Sequence, residues 1–431
     1  MITTKGDSTL WNVIRQRSLL TQEPNEVRIL RIVRDRGPIS RIEIASAAGL
    51  HKATVTDLVG KLIGSGLLED TGEVQARNKV GRKRLLLRFL PLAGIVAGVD
   101  IRMTHATVAL TDLNARILLQ ESFDYGLGDP AEKVLSLAAD KIKDLLKAGD
   151  FPQKKLVGVG IGVQGIIDSS TNTLVVSYNK KSWQGQSLSA PLEREFNVPV
   201  YVENDVKTMA LAEYLLGAAK GTKDFIHIWI GEGVGAGIMI NGHLLHGITF
   251  SAGEIGYNLL EFSSFYRENF PLTFRNQAVF GEILTDANLI DSYRQGTSAP
   301  AGKGWTVASV AERARLGDPV AQNVIEEFAS LLSILCIPMV NMLNPEMIVI
   351  GGKLAQSFPG IGEVLQHKIH RDLLATPVEA VRVRPASHGE LAVILGASGL
   401  VLYELFEPLH GFRSRSARRH AASKSVGTDA A

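Results

Sequence analysis

The side chains best placed to do chemistry fall in short, separated stretches. In "YVENDVKTMALAEY", Asn204 and Asp205 close an apolar run, and an amide beside a carboxylate at a strand end can accept from and donate to adjacent hydroxyls. "GVDIRMTH" (98–105) and "IGEGVGAG" (230–237) each follow an apolar run with a tight turn. In such turns glycines let backbone N–H groups approach phosphate oxygens with no Cβ in the way. The first turn instead has Arg102 and Met103, which are expected to fill the phosphate hollow with side chains. The second has Glu232, a negative charge beside any polyphosphate. At about 4 Å under surface-like screening such repulsion is several kcal/mol at most. Both turns are thereby poorly suited to receiving a polyphosphate.

No metal and no cofactor are expected. Cys336, the single cysteine, lies in the apolar run "LLSILCIPMV" and reads as a small buried hydrophobe that can join neither an internal disulfide nor a multi-cysteine zinc site. "HLLHG" and His227 suggest a metal site, but His243 and His246, three apart with no third ligand nearby, read as surface or turn residues, and no metal reading is made.

These residues need a scaffold, and 431 residues with 45% hydrophobic and 21% charged content suit two or three ordinary globular domains. Residues 1–9 have no apolar core of a signal peptide, and no run approaches about 18 uninterrupted apolar residues. A cytoplasmic protein with no membrane partner is expected. The net charge of +2 is uneven: residues 1–90 hold 16 Lys/Arg against 9 Asp/Glu, and the remainder 30 against 35. That predicts a basic module for a polyanion joined to a slightly acidic body.

In the basic module, "NEVRILRIVRDRG" puts Val27, Leu30 and Val33 at helical spacing beside Ile29 and Ile32, and Gly37-Pro38 ends the helix. "SRIEIASAAGL" offers Ser40 as N-cap with Glu43 three residues on, a capping box. A third helix runs through "HKATVTDLVGKLIGSG", with Val55, Leu58, Val59 and Leu62 inward and His51, Lys52, Thr54, Thr56 and Asp57 on the other face. Two helices joined by a tight glycine turn form a helix-turn-helix, whose second helix enters the DNA major groove. "GLLED" and "EVQARNKVGRKRLLLRFLP" add a hairpin, and residues 76–88 carry six Lys/Arg and no acid, as a wing on phosphates requires. The candidate DNA contacts are Ser40, Arg41, His51, Lys52, Thr54, Thr56, Arg82, Lys83 and Arg84.

After Pro91 the pattern becomes α/β. "GIVAGVD", "ATVALTD" and "RILLQESFDY" read as strands, "DPAEKVLSLAADKIKDLLKAG" as an amphipathic helix, and "LVGVGIGVQGIID" as a buried strand and turn. A similar opening from "FIHIWIGEGVGAGIMINGHLL" predicts two like lobes with a cleft between them. The expected domains are 1–90, a winged helix-turn-helix; 91–409, the two-lobed body; and 410–431, a disordered basic tail.

In order and spacing, "GLHKATVTDLVGKLIGSGLLED", "GRKRLLLRF", "GVDIRMTH", "GVGIGVQGIID", "YVENDVKTMALAEY", "GEGVGAGIMINGHLLHG", "SAGEIGYN" and "LNPEMIVIGG" resemble the ROK proteins, bacterial sugar kinases and winged-helix sugar-responsive repressors, from about Glu26 to Glu404. The resemblance implies an α/β body of actin-like, sugar-kinase-like type with ribonuclease H-like lobes behind the winged helix. It implies a sugar site at Asn179, Asn204, Asp205 and Glu254, with Asp205 at the position of the kinases' general base, and with Tyr257 and Glu282 as further candidates. Most of the family holds a structural zinc through a histidine after "AGE-x-G" and a nearby cysteine cluster. Tyr257 takes the histidine position, and residues 258–335 contain no cysteine. The phenylalanine-rich segment there is expected to supply core packing instead. The expectation is a homodimeric or higher-order repressor of carbohydrate-utilisation genes, without enzymatic activity, whose partners are operator DNA and a sugar or sugar derivative; the alternatives are a sugar kinase with an appended DNA-binding domain and a ligand-insensitive DNA-binding protein.

Overall fold

The computed structural model describes residues 24–75, 84–258, 279–297, 304–372 and 381–406. They divide into two compact units, residues 1–203 with 397–431, and residues 204–396.

The first unit opens with the winged helix. α1 (Asn25–Arg36) buries Val27, Ile29, Leu30, Ile32 and Val33 and stops before Gly37-Pro38. After the short strand β1 (Ile39–Ser40), α2 (Arg41–Ala48) starts on the expected capping box: the Ser40 hydroxyl accepts from the Glu43 N–H, and the Glu43 carboxylate accepts from the Ser40 N–H at 3.1 Å. Gly49 turns the chain with φ 64, a left-handed conformation that a Cβ disfavours, and α3 (Lys52–Gly64) follows at once. β2 (Leu68–Gln75) and β3 (Arg84–Phe89) form the antiparallel wing, and the sheet order is β1-β3-β2.

The rest of that unit is the first lobe. β4 (Ile95–Ile101), β5 (His105–Asp112) and β6 (Ile117–Asp124) form an antiparallel meander, and α4 (Ala131–Ala148) leads to β7 (Leu156–Val163), which pairs parallel to β4. The small ribbon of β8 (Ile166–Asp168) and β9 (Thr173–Val176) and the helix α5 (Ala190–Phe196) precede β10 (Val200–Asn204), and the sheet order is β10-β7-β4-β5-β6. All seven residues of β4 and all eight of β7 are buried, as expected for central strands covered on both faces.

The second unit starts with α6 (Asp205–Leu216) and repeats the scheme with β11 (Phe225–Ile230), β12 (Val234–Ile240) and β13 (His243–Leu244). The helices α7 (Phe280–Ile283), α8 (Asp286–Gly296), α9 (Val307–Arg315) and α10 (Pro319–Leu343) lead to β14 (Met347–Gly352), parallel to β11. α11 (Lys353–Ser357), α12 (Ile361–Asp372), β15 (Arg382–Pro385) and α13 (Ala392–Phe406) complete the chain. The order β13-β12-β11-β14-β15 matches that of the first lobe strand for strand. The body is therefore a duplicated ribonuclease H-like, sugar-kinase-like fold. α10 and the segment 389–406 are long and apolar enough to cross a membrane, but most of each is buried in the fold, as in core helices. Cys336 lies in that core, fully buried on α10.

Candidate functional site

Five of the six ligand candidates lie in the second unit or at its first residue. Asn204 ends β10 and caps α6, its side-chain oxygen accepting the Lys207 N–H at 3.1 Å. Asp205 is the first helical residue; its carboxylate accepts the Val206 N–H at 2.9 Å, where the helix dipole favours negative charge. Glu254 ends the loop after β13 and precedes a 3-10 turn, Ile255–Tyr257. Burial raises its pKa above the usual carboxylate range, and the Lys207 ammonium opposes that rise. Tyr257 is more than half exposed. The exposed Glu282 sits on α7, whose Gly281 backbone packs against Gly256, and the Phe280 N–H donates to the Asn258 carbonyl at 3.2 Å. The structure thus sets Asn204 and Asp205 at the N-terminal end of α6, and packs the Tyr257 turn against the Glu282 helix.

Asn179 belongs to the first unit, where its amide donates to Gln164 Oε1 at 3.3 Å. Its neighbour Lys180 went unnoticed in the sequence. The ammonium is buried, donates to Tyr125 Oη at 2.6 Å and to the Met103 carbonyl at 3.2 Å, and lies 4.8 and 4.5 Å from the ring centres of Tyr125 and Trp183. Desolvation lowers its pKa to about 8. The Tyr125 hydroxyl in turn donates to the Arg102 carbonyl, and the Trp183 indole donates to the Asp129 carbonyl at 2.8 Å.

The Arg102 and Met103 side chains at the first turn are partly exposed. Met103 is 37% exposed, and the Arg102 side chain is 41% exposed and turns back to Asp100, Nε to Oδ2 at 2.9 Å. The turn 102–104 is fastened through its carbonyls from beneath, by Lys180 and Tyr125. Asp100 is buried; desolvation raises its pKa, with Arg102 working in the other direction.

The second turn is altered by charge. Glu232 is exposed, and the adjacent Gly231 carbonyl accepts the Asp286 N–H at 2.8 Å at the start of α8. Asp286 faces Lys353 at 3.4 Å; burial raises its pKa, Lys353 lowers it and Glu232 raises it further.

His227 is fully buried on β11, and neither ring nitrogen has a hydrogen-bond partner. Alternation along the strand puts it on the side of Phe225 and Trp229. A Cβ on Gly351 would lie 2.9 Å from its Cε1, which explains a glycine before Gly352. Desolvation holds its pKa down at about 3. Among the described residues no group of His, Cys, Asp and Glu could hold a metal ion.

On the winged helix, α3 buries Val55, Leu58, Val59 and Leu62 and leaves His51, Lys52, Thr54 and Thr56 exposed. Arg41 is partly exposed and lies 4.0 Å from Asp70. Ser40 differs from the other candidates: it is buried, and its hydroxyl donates to Glu43 at 2.7 Å, so its side chain serves the helix start. Arg84 opens β3, while Arg82, Lys83 and the tail 410–431 lie outside the described residues, as does most of the phenylalanine-rich segment. Arg88 pairs across the wing with Glu69, Nε to Oε1 at 2.7 Å. The module is anchored inside its unit by Phe406, whose ring lies 4.3 Å from the Arg34 guanidinium and edge-on to Phe89 at 6.1 Å.

A duplicated sugar-kinase-like body behind a helix-turn-helix module defines the class. Residues 96–404 match the ROK family, so the chain belongs to the ROK family; residues 23–71 match the MarR family. A xylose repressor of Caldicellulosiruptor bescii is 28% identical over 90% of this chain and 97% of its own. The DNA-binding transcriptional repressor Mlc of Escherichia coli is 26% identical over 88% and 92%. Among solved structures, a ROK family transcriptional regulator described as a homolog of E. coli MLC superposes with a TM-score of 0.74 at 22% identity, covering 89% of this chain and 96% of that one, and shares the fold.

Proposed function

We propose that this protein is a sugar-responsive, DNA-binding transcriptional repressor of carbohydrate-utilisation genes that works in the cytoplasm as a homodimer or higher homo-oligomer. The observation that carries the reading is α3, a helix with an apolar back and an outward stripe of His51, Lys52, Thr54 and Thr56, set directly after the Gly49 turn. These residues and Arg41 read the major groove, and Arg82, Lys83 and Arg84 in the wing contact phosphates. Asn179, Asn204, Asp205, Glu254, Tyr257 and Glu282 receive the sugar. Ligand binding favours one conformation of the body and thereby changes operator affinity, a linkage that is reciprocal. In a two-fold dimer the half-sites lie about 34 Å apart or a multiple of it.

The same residues would suit a sugar kinase, since the family resemblance puts Asp205 at the position of the kinases' general base. The Lys180-fastened turn at Arg102-Met103 and the charged turn at Glu232 favour a body without phosphoryl transfer. One experiment separates the readings. The pure protein is screened by thermal shift against D-xylose, D-glucose and N-acetyl-D-glucosamine, and the best ligand is added to a gel shift on DNA upstream of its gene. The expected result is a ligand-dependent change in operator affinity that Asp205→Ala abolishes while leaving DNA binding intact. Sugar phosphorylated from ATP at ordinary turnover, or a sugar effect on operator affinity that survives in Asp205→Ala, would overturn the proposal.

A further inference from the structure

α6 is buried along most of its length: Val206 to Glu213 are all shielded from solvent. Within that stretch Lys207 is 2% exposed. An ammonium in such a place needs a fixed acceptor, because an unpaired buried charge is strongly disfavoured. The Lys207 ammonium has one in the Phe250 carbonyl, at 2.6 Å.

Phe250 is unusual in its own right. Its φ of 62 is left-handed, a conformation that residues with a Cβ adopt rarely and that persists where the surroundings fix it. The loop around it is pinned at both ends. The Ala252 N–H donates to the His246 carbonyl at 3.1 Å, and the Ala236 N–H on β12 donates to the Gly253 carbonyl at 2.8 Å. The His246 and Phe250 rings meet edge to face at 6.2 Å. The loop then delivers Glu254, on which the Lys207 charge also acts.

We propose that Lys207 is a positioning residue of the ligand site, holding the loop 246–254 by the Phe250 carbonyl so that Glu254 is kept in fixed register with Asn204 and Asp205 on the same helix. It rests on the reading of these residues as a sugar site and adds to it a residue that touches no ligand. The link is short. Asn204 caps α6 through the backbone N–H of Lys207, so the same residue is tied to Asn204 by its backbone and to the Glu254 loop by its side chain.

The test compares Lys207→Met, which keeps the apolar stem and removes the charge, with Lys207→Arg, which restores a cation, and Lys207→Gln as a second uncharged variant. Hydrogen exchange of the ligand-free full-length protein is the first readout. In Lys207→Met and Lys207→Gln, amides 246–257 exchange about tenfold faster or more, as expected on losing a charge-assisted hydrogen bond, while the winged helix and the first lobe are unchanged. Lys207→Arg moves the rate back toward that of the parent. The second readout is affinity for whichever of D-xylose, D-glucose or N-acetyl-D-glucosamine shifts the parent's melting. It falls about tenfold in Lys207→Met, with operator affinity without sugar unchanged. Exchange in 246–257 that is indifferent to Lys207→Met, or equally fast in the arginine variant, overturns the proposal. If none of the three sugars binds the parent, the sugar-site reading fails instead, and the exchange data still decide whether Lys207 holds the loop.

Discussion

Lys180 in the first lobe and His227 in the second are both bases buried in a core, and their charge states differ for a reason that can be read from their neighbours. Burial lowers the Lys180 pKa to about 8, still above neutral, and the Met103 carbonyl, the Tyr125 hydroxyl and two ring faces receive the ammonium's protons. His227 has no acceptor and no donor at either nitrogen and is held neutral, at about 3. Burial disfavours the charged form of both, but Lys180 starts from 10.5 and has acceptors for its protons, whereas His227 starts from 6.5 and has none. The consequence for function is local. A cation fastens the turn at residues 102–104, where a kinase would bring glycine N–H groups to phosphate, whereas the second lobe accommodates a neutral ring beneath the Gly351-Gly352 pair.

The sharpest way to break this contrast is acid. Between pH 6.5 and about 3 the unfolded chain takes up a proton at His227 that the folded chain refuses, so stability is lost as pH falls through that window, by up to about 5 kcal/mol for the full shift. In His227→Leu this loss is absent. Urea denaturation from pH 7 to pH 4.5 is expected to show the parent's midpoint falling more steeply than the variant's. Parallel curves would mean that His227 is not a buried neutral base.

Alkali tests the other member of the pair. The folded-state pKa of Lys180 lies below its unfolded value of 10.5, so the energetic cost of burying the cation is fully present below pH 8 and is relieved as pH rises from 8 to 10.5. The parent should therefore gain stability relative to Lys180→Met across that window, by about 3 kcal/mol at most. The slope is the readout, because the substitution also leaves the Met103 carbonyl without its donor. No difference in slope would mean that the partners around Lys180 hold its pKa at the ordinary value.

Neither base was recognised in the sequence, and the reason is physical. Strands and helices were legible because apolar periodicity is written in consecutive residues: the stripe Val55, Leu58, Val59 and Leu62 and the Ser40–Glu43 capping box gave α2 and α3, and the two β-β-β-α-β openings gave both lobes. Asn204, Asp205 and Glu254 were singled out because they stand in recognisable motifs. Lys180 and Lys207 act on carbonyls 77 and 43 residues away, and a lysine in a motif reads as solvated unless the fold shows what it meets. For Lys207 a weak signal existed, since a lone cation in "DVKTMALAEYLL" interrupts an otherwise apolar helix start. For His227 the signal was stronger, since its strand neighbours Phe225, Ile226, Ile228 and Trp229 already announce burial.

The smallest effect comes from a third base, Lys353, which follows Gly352 and meets Asp286 beside the second turn. It resembles Lys180 in its place at an altered turn but differs in exposure, its side chain being 64% exposed, so water supplies most of what its partner does. Lys353→Met should therefore change stability by about 1 kcal/mol or less. Its clear signature is electrostatic. Burial already raises the Asp286 pKa, Lys353 lowers it and Glu232 raises it, so NMR titration of the Asp286 carboxyl should move up in Lys353→Met and down in Glu232→Gln. Opposite displacements of one carboxyl by two neighbours would establish that charge shapes the second turn, where the first is shaped by a buried cation and its hydrogen bonds. A stability loss in Lys353→Met as large as that expected at Lys180 would remove the distinction, because it would require the exposed pair to be as desolvated as the buried one.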